Sequence, residues 1–257
     1  IGEGIPISSV VYPIAFTMGN DIYLMNSDGS GLANLTNNRS DEWAYSPSWS
    51  SDGTKIVYVG GEDIISIGSD GTGHVSLTEY EDSGKWAGSP IWSPDGTKIA
   101  YELSGDIYVM DSDGSDQTNL TNTAEGVWAN YPRWSPNGVY IAYAQQGDIY
   151  VMDSDGSDPT NITNSDADFW PWGQTWSPDG VTVLYEGGNE IWAVNEGDNY
   201  GVDNINLISL YGELHGSFDY DYASYPRFSP DGTMISLMID NSVSIIRPDG
   251  TQLKKLS

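Results

Sequence analysis

Apolar residues along this chain fall in short runs. KIAYE and DIYVMD are typical: β-branched or aromatic stretches of five or six residues, closed at both ends by Gly, Pro, Asp, Asn or Ser. Runs of that length and chemistry predict strands, with the aromatic PxWS segments and the NLT segments as further short strands. The SPDG segments between them suit tight turns, because Pro presets φ and Gly accepts φ > 0. The DSDGS segments do the same work with Asp side chains that cap their own turn. No stretch carries apolar residues at helical spacing, which disfavours alternating strand and helix.

The runs recur in a fixed order. PSWSSDGTKIVY, PIWSPDGTKIAY, PRWSPNGVYIAY, QTWSPDGVTVLY and PRFSPDGTMISL centre on Trp49, Trp92, Trp134, Trp176 and Phe228, at spacings of 43, 42, 42 and 52. A second block occurs six times, from DIYLMNSDGSGLANLT at Asp21 to SVSIIRPDGTQLKKLS at Ser242. Register supplies the missing partner of the first copy. The aromatic stands seven residues before the next strand's Ile or Val (Trp92 to Ile99, Trp176 to Val183), and counting back seven from Ile14 reaches Ile7. Ile7 and Ser8 therefore read as a first strand whose turn has been lost. Four short strands joined by tight turns and repeated six times predict an all-β fold: a six-bladed β-propeller of four-stranded antiparallel blades, the first blade with a degenerate inner strand. The expected organisation is a single propeller over 1–257, with blades at about 1–42, 43–85, 86–127, 128–169, 170–221 and 222–257.

The WSPDGxxIAY and DIYVMDSDGSxxxNLT pattern resembles the TolB-like family of six-bladed propellers. Its repeat is also similar to that of the propeller domains of prolyl-oligopeptidase-type and tricorn-type proteases. The resemblance covers essentially the whole chain and implies the fold, whereas activity does not follow from it, because propellers host unrelated functions. The chain departs from the pattern at the lost first turn, at Asn137 in place of Asp, at Ser51 in place of Pro, and in a lengthened fifth unit. The six units leave no residues for the hydrolase domain that the protease families carry.

Composition narrows the partners. With 38% hydrophobic and 12% aromatic residues the chain has material for a large core, and its 257 residues carry 37 Asp and Glu against 9 Lys and Arg, for a net charge of −28. Charged residues are only 18% of the chain against a usual ~25%, so the imbalance comes from missing bases. Nucleic acid and anionic membranes need clustered cations and are excluded as partners. No apolar run reaches the ~18 to 20 residues of a membrane span, and the first residues lack a basic region, so any signal peptide is expected to have been removed already. Zero cysteines exclude disulfides, thiolate metal sites and Cys nucleophiles.

Propeller topology sorts the remaining chemistry onto two faces. The SPDG and DSDGS turns share one face and bring together Asp52, Asp95, Asp179 and Asp231 with Asp28, Asp70, Asp111, Asp113, Asp116, Asp153, Asp155, Asp158 and Asp249. DSDGSD has the alternating oxygens of a calcium loop but lacks the distal bidentate Glu, and turn chemistry accounts for its acids. No cofactor is therefore expected, and Ca2+ at the acidic loops is the one ion the pattern admits.

The opposite face is the mouth of the central channel. Six residues before each inner-strand aromatic stands another: Trp43, Trp86, Trp128, Trp170 and Tyr222. Beside them lie Asp41, Glu42, Glu79, Glu81, Asp82, Glu125, Asp166, Asp168, Glu213, Asp219 and Asp221. Aromatic faces with acceptor oxygens suit sugars, or cationic and peptide ligands. The same rings could equally be wedges between blades. The fifth unit breaks the symmetry with a long mouth loop, ISLYGELHGSFDYDYASYP, holding His215, Phe218, Tyr220, Asp219 and Asp221, and long loops on rigid scaffolds carry function. Asp21, Asp63, Asp106, Asp148 and Glu190 also face the mouth, where capping of their own turn is the expected role. Arg133 and Arg227 occupy matching places in YPRWS and YPRFS, where they either anchor a ligand's carboxylates or neutralise neighbouring Asp residues.

No GxSxG elbow, HExxH or phosphate loop is present. A glycosidase or lyase built on mouth carboxylates stays open, because their separation is invisible in sequence. Sequons at Asn34, Asn38, Asn119 and Asn161 fall mostly in the repeat's fourth strand and read as coincidental. These residues point to a non-catalytic binding module in the periplasm or at the cell surface. Its expected partner is a protein or peptide held at the aromatic, acidic mouth. Two alternatives are a lectin-like carbohydrate binder on the same residues and a structural part of a self-assembling surface layer.

Overall fold

The computed structural model describes residues 13–37, 43–80, 83–164, 172–195, 205–209 and 222–256. Strands dominate, and helix among the described residues is confined to 207–209. The first sheet has three strands, β1 (Ile14–Met18), β2 (Asp21–Met25) and β3 (Ala33–Asn34). Five four-stranded sheets follow. The second holds β4 (Ala44–Trp49), β5 (Lys55–Gly60), β6 (Asp63–Gly68) and β7 (Val75–Ser76), and the third β8 (Ala87–Trp92), β9 (Lys98–Leu103), β10 (Asp106–Asp111) and β11 (Thr118–Asn119). The fourth holds β12 (Ala129–Trp134), β13 (Tyr140–Gln145), β14 (Asp148–Asp153) and β15 (Thr160–Asn161), and the fifth β16 (Trp172–Trp176), β17 (Thr182–Gly187), β18 (Glu190–Asn195) and β19 (Ile205–Asn206). The sixth is β20 (Ala223–Phe228), β21 (Ile235–Ile239), β22 (Ser242–Ile246) and β23 (Lys254–Lys255). All pairings are antiparallel between chain neighbours, giving a six-bladed propeller whose first blade lacks its inner strand among the described residues; Ile7 and Ser8 lie outside them.

The second and third strands of blades two to five are largely buried on both faces because each sheet is sandwiched between two others. Ile56, Val57, Tyr58 and Val59 on β5 are all at most 1% exposed. Each cluster of core residues spans a blade boundary: Val57, Val59 and Ile64 pack on Ile99 and Tyr101, and Ala142 and Ile149 on Val183 and Tyr185. Burying one such Ile or Val is worth about 1.5–3 kcal/mol, so the repeat stabilises itself only through its neighbours.

The turns follow the expected chemistry. Asp52 Oδ1 accepts from Ser50 Oγ at 2.7 Å and from the Thr54 N–H at 3.0 Å, while Ser50 Oγ accepts from the Lys55 N–H at 2.9 Å. Asn137 preserves this arrangement, its Oδ1 accepting from Ser135 Oγ at 2.7 Å and the Val139 N–H at 3.1 Å. Those bonds hold the Asp52 carboxyl down at about 2, led by the Ser50 hydroxyl.

Between the third and fourth strands a latch closes each of the first four blades. The N–H groups of Ile22, Ile64, Ile107 and Ile149 donate to the hydroxyls of Thr36, Thr78, Thr121 and Thr163. Those hydroxyls in turn donate to Asp21, Asp63, Asp106 and Asp148. Asn34, Asn119 and Asn161 donate to the same row of carboxylates, so the NLT and NIT triplets are structural parts of the outer edge.

Every described inner strand carries a bulge. β4, β8, β12, β16 and β20 each shift register against their neighbour, and their third residue, or Gly173 on β16, sits in the left-handed region: Ser46 (φ 53°), Ser89 (45°), Tyr131 (56°), Gly173 (66°) and Tyr225 (54°). A bulge bends the strand, and here it turns the side chains on either side of the buried Pro132 and Pro226 toward the channel.

Candidate functional site

The mouth is braced by its backbone. The N–H groups of Gly61 and Ser104 donate to the carbonyls of Trp43 and Trp86 within one blade. The next residue reaches the preceding blade: Ala44 donates to Asn20, Ala87 to Glu62, Ala129 to Gly105 and Ala223 to Asn189, at 2.7–3.0 Å. The loop before Trp128 is tied further, with Thr123 Oγ1 donating to the Val127 carbonyl at 3.0 Å. Main-chain bonds thus brace the rim between blades, and the indoles keep a large exposed share: Trp43, Trp86 and Trp128 are 64%, 39% and 47% exposed. Trp86 and Trp128 stack across a blade boundary with ring centroids 6.0 Å apart and planes 16° from parallel. Trp128 also covers the turn of the blade before it, where a Cβ on Gly105 would come within 3.2 Å of its ring. Tyr222 is half-buried and donates its hydroxyl to Asn241 Oδ1. Trp170, His215, Asp219 and Asp221, with Phe218, Tyr220 and most of the mouth acids, lie outside the described residues.

Asp21, Asp63, Asp106, Asp148 and Glu190, expected to cap their own turns, are bound into the latch. Each carboxylate reaches across to the adjacent fourth strand to bind the Asn or Thr of the blade's edge, as Glu190 does with Asn206. At Asp106 burial opposes ionisation, but bonds from the Thr123 N–H and from Asn119, Thr121 and Thr123 side chains prevail and lower its pKa. Five of the acids assigned to the mouth are therefore committed to the scaffold. The mouth offers less free negative charge than the sequence suggests.

Below the mouth, inside the channel, blades four and six are alike and differ from the rest. Each presents a Tyr–Pro–Arg segment: Tyr131 and Arg133 from β12, Tyr225 and Arg227 from β20. Tyr131 and Tyr225 are 46% and 58% exposed. Each is anchored by a carboxylate of the preceding blade, the Tyr131 N–H donating to Glu102 Oε1 at 2.6 Å and the Tyr225 N–H to Glu186 Oε1 at 2.5 Å. Glu102 and Glu186 are 5% and 3% exposed, and burial pushes both carboxyls up against the pull of the tyrosine N–H bonds and of Arg133 and Arg227. Gly88 and Gly173 make room for these carboxylates: a Cβ would stand 3.0 Å from Glu102 Oε2 and 2.7 Å from Glu186 Oε1.

Sequence reasoning missed Glu102, Glu186, Tyr131 and Tyr225. The signal lies in pairs of repeats. An acid follows the strand tyrosine only in KIAYE and VLYE, and each of those blades precedes a YPR blade, whereas the corresponding residues Val59 and Ala144 precede SPI and GQT.

Among the described residues no aspartate pairs with either arginine. Among the described residues neither forms an ion pair, each guanidinium donating only to its own preceding carbonyl, Arg133 to Pro132 at 2.9 Å and Arg227 to Pro226 at 2.7 Å. The carboxylates they feel are Glu102 and Glu186. Desolvation and then the like charge of Arg227 bring Arg133 down to about 10.

Two kinds of cavity adjoin these surfaces. One of about 370 Å³ opens at the mouth between blades five and six, lined by Glu186, Asn189, Tyr222, Tyr225 and Asn241. A larger one, about 430 Å³, lies on the turn face around Asp95, Lys98 and Asn137, and a counterpart of about 250 Å³ sits one blade back around Asp52 and Lys55. The turn-face cavities are products of the repeat, and the mouth cavity is where the chain departs from it. Among the described residues no three His, Asp or Glu side chains are grouped to hold a metal ion, and no helix is long and apolar enough to cross a membrane.

The family model for the TolB beta propeller domain matches residues 8–237. No curated protein matches the chain. Among solved structures, a putative TolB from Agrobacterium tumefaciens is 19% identical over 88% of this chain and 84% of its own, with a TM-score of 0.64. An oligogalacturonate lyase from Vibrio parahaemolyticus is 14% identical over 92% of this chain and 70% of its own, at 0.67. A puromycin-hydrolyzing peptidase from Mycobacterium tuberculosis is 15% identical over 95% of this chain and 44% of its own, at 0.68. At these identities the likeness is one of fold, shared by binding proteins and enzymes alike.

Proposed function

We propose, from the premise that this chain belongs to the TolB β-propeller family, that it is a non-catalytic binding module that receives a segment of a protein partner at its channel mouth, in the periplasm or at the cell surface. The observation that carries this reading is the set of exposed indoles on a braced rim, with Trp86 and Trp128 already stacked. A rigid aromatic platform adds contact area at little entropic cost, and such anchors dominate binding energy. The absence of turnover is supported by how the buried carboxylates are used. Burial raises the Glu102 and Glu186 carboxyls, and each accepts a backbone N–H from the following blade.

Peptides selected against the full chain from a random library, then titrated calorimetrically, test the proposal. Trp86→Ala with Trp128→Ala should weaken the selected peptides at least tenfold while leaving the melting temperature within a few degrees. Unchanged affinity in that variant overturns it. A lectin-like use of the same rings is the second reading, because sugar C–H faces stack on exposed indoles; glycan-array binding that disappears in the same variant would favour it.

A further inference from the structure

The channel interior supports a sharper statement than the rim. Only 9 of the 257 residues are basic, yet two of them stand at matched positions of β12 and β20. Placing like charges near each other in a partly dehydrated channel is unfavourable unless something of opposite sign compensates. Glu102 and Glu186 compensate in part from behind the strands, but neither comes within ion-pair distance. The guanidinium groups thus keep most of their donors unused among the described residues.

The surroundings are shaped as well as charged. Tyr131 and Tyr225 are held in left-handed backbone, a strained conformation for a bulky side chain that costs about 1–2 kcal/mol each and persists only where neighbours enforce it. Buried Glu102 and Glu186 tie these two bulges down by accepting from their N–H groups. Between the two YPR segments, blade five presents the smaller Gly173 and Thr175 where its neighbours carry Tyr and Arg, with the Glu186 carboxylate packed against Gly173. Gln174 replaces the proline there and donates its side-chain amide to the Tyr131 carbonyl, fixing the β12 segment in place.

We propose that Arg133 and Arg227, walled by Tyr131 and Tyr225 and backed by Gly173 and Thr175, form a carboxylate-binding site inside the channel, filled by an acidic residue of a peptide segment entering at the mouth. The route past Trp128 and Tyr222 rests on the function proposed above; the site itself stands on the lumen geometry. Arginine forks match carboxylate oxygens with paired N–H donors, and the Tyr131 hydroxyl can donate to the same group. The strand direction sets the order of contact, aromatic rim first, tyrosines next, arginines deepest.

Calorimetric titration of the full chain with acetyl-Gly-Gly-Asp-Gly-amide, its Asn counterpart and free succinate tests this. The Asp peptide should bind at least tenfold more tightly than the Asn peptide, and more tightly than succinate. Arg133→Gln and Arg227→Gln should each erase most of the Asp preference, with circular dichroism and melting temperature confirming the fold, and Arg133→Lys should keep part of it. Equal binding of the Asp and Asn peptides, binding by neither, or an Asp preference that survives both Gln variants overturns the site. Succinate binding as tightly as the Asp peptide overturns the peptide segment as its source. The two proposals fail differently: loss of the rim function shows as indifference to the Trp86→Ala, Trp128→Ala pair, loss of the lumen site as indifference to Asp against Asn.

Discussion

Replacing Glu102 separates its two jobs. In Glu102→Ala the Tyr131 N–H loses its acceptor at 2.6 Å inside the structure, which costs about 1–3 kcal/mol for an orphaned buried donor. Truncating a side chain only 5% exposed adds a cavity, and Arg133 loses its nearest opposing charge. Together the expected loss is about 2–4 kcal/mol, or roughly 4–16 °C in melting temperature for a chain of this size. Glu102→Gln keeps an acceptor for Tyr131 and no longer buries a charge, so it should remain within about 1 kcal/mol of the parent at neutral pH. The pH dependence gives a second reading. Burial raises the Glu102 carboxyl above the ordinary glutamate value, so the folded state holds this proton to higher pH than the unfolded chain does. Its contribution to stability is full below the unfolded value and declines as pH climbs through the interval up to the folded one. Glu102→Gln should flatten that decline. Thermal and urea melts from pH 4 to 8 measure both effects. An alanine variant within 0.5 kcal/mol of the parent would refute the claim that this carboxylate holds the bulge.

The turn aspartates titrate the other way. Serine and threonine bonds depress Asp52 and Asp231 to about 2, so their contribution, present above the unfolded carboxylate range, should vanish as pH falls from about 4 toward 2; Asp52→Asn should soften that acid limb while leaving the neutral melting temperature nearly unchanged, as Asn137 already does in blade four. Gly114→Ala should destabilise by about 2 kcal/mol or more in urea melts, because φ is +93° and the new Cβ would meet the Leu77 carbonyl of the neighbouring blade at 2.7 Å. Thr163→Ala removes the acceptor of the Ile149 N–H, 3.0 Å away and buried, and should cost about 1–3 kcal/mol by the same melts, with Thr163→Ser recovering most of it.

The fold was legible because a propeller writes each structural demand five or six times. Trp49, Trp92, Trp134, Trp176 and Phe228 keep register with the turns that follow, and Ser-x-Asp-Gly needs only its own few residues to close. Local chemistry of that kind survives in sequence. The bulge did not, since Ser46, Ser89, Tyr131, Gly173 and Tyr225 share no side-chain type, only a backbone angle imposed by the closing of strands around a channel.

Sequence alone also predicted which residues stand at the mouth, by spacing, and fixed that cations are scarce, by composition. Tertiary structure decided what those residues are free to do. Asp21, Asp63, Asp106 and Asp148 prove to be committed to edge strands, and Glu102 and Glu186 cross blade boundaries to hold tyrosines 29 and 39 residues away. Whether a carboxylate is spent or available depends on a partner from another strand or blade, and that distance is fixed only when the sheets pack.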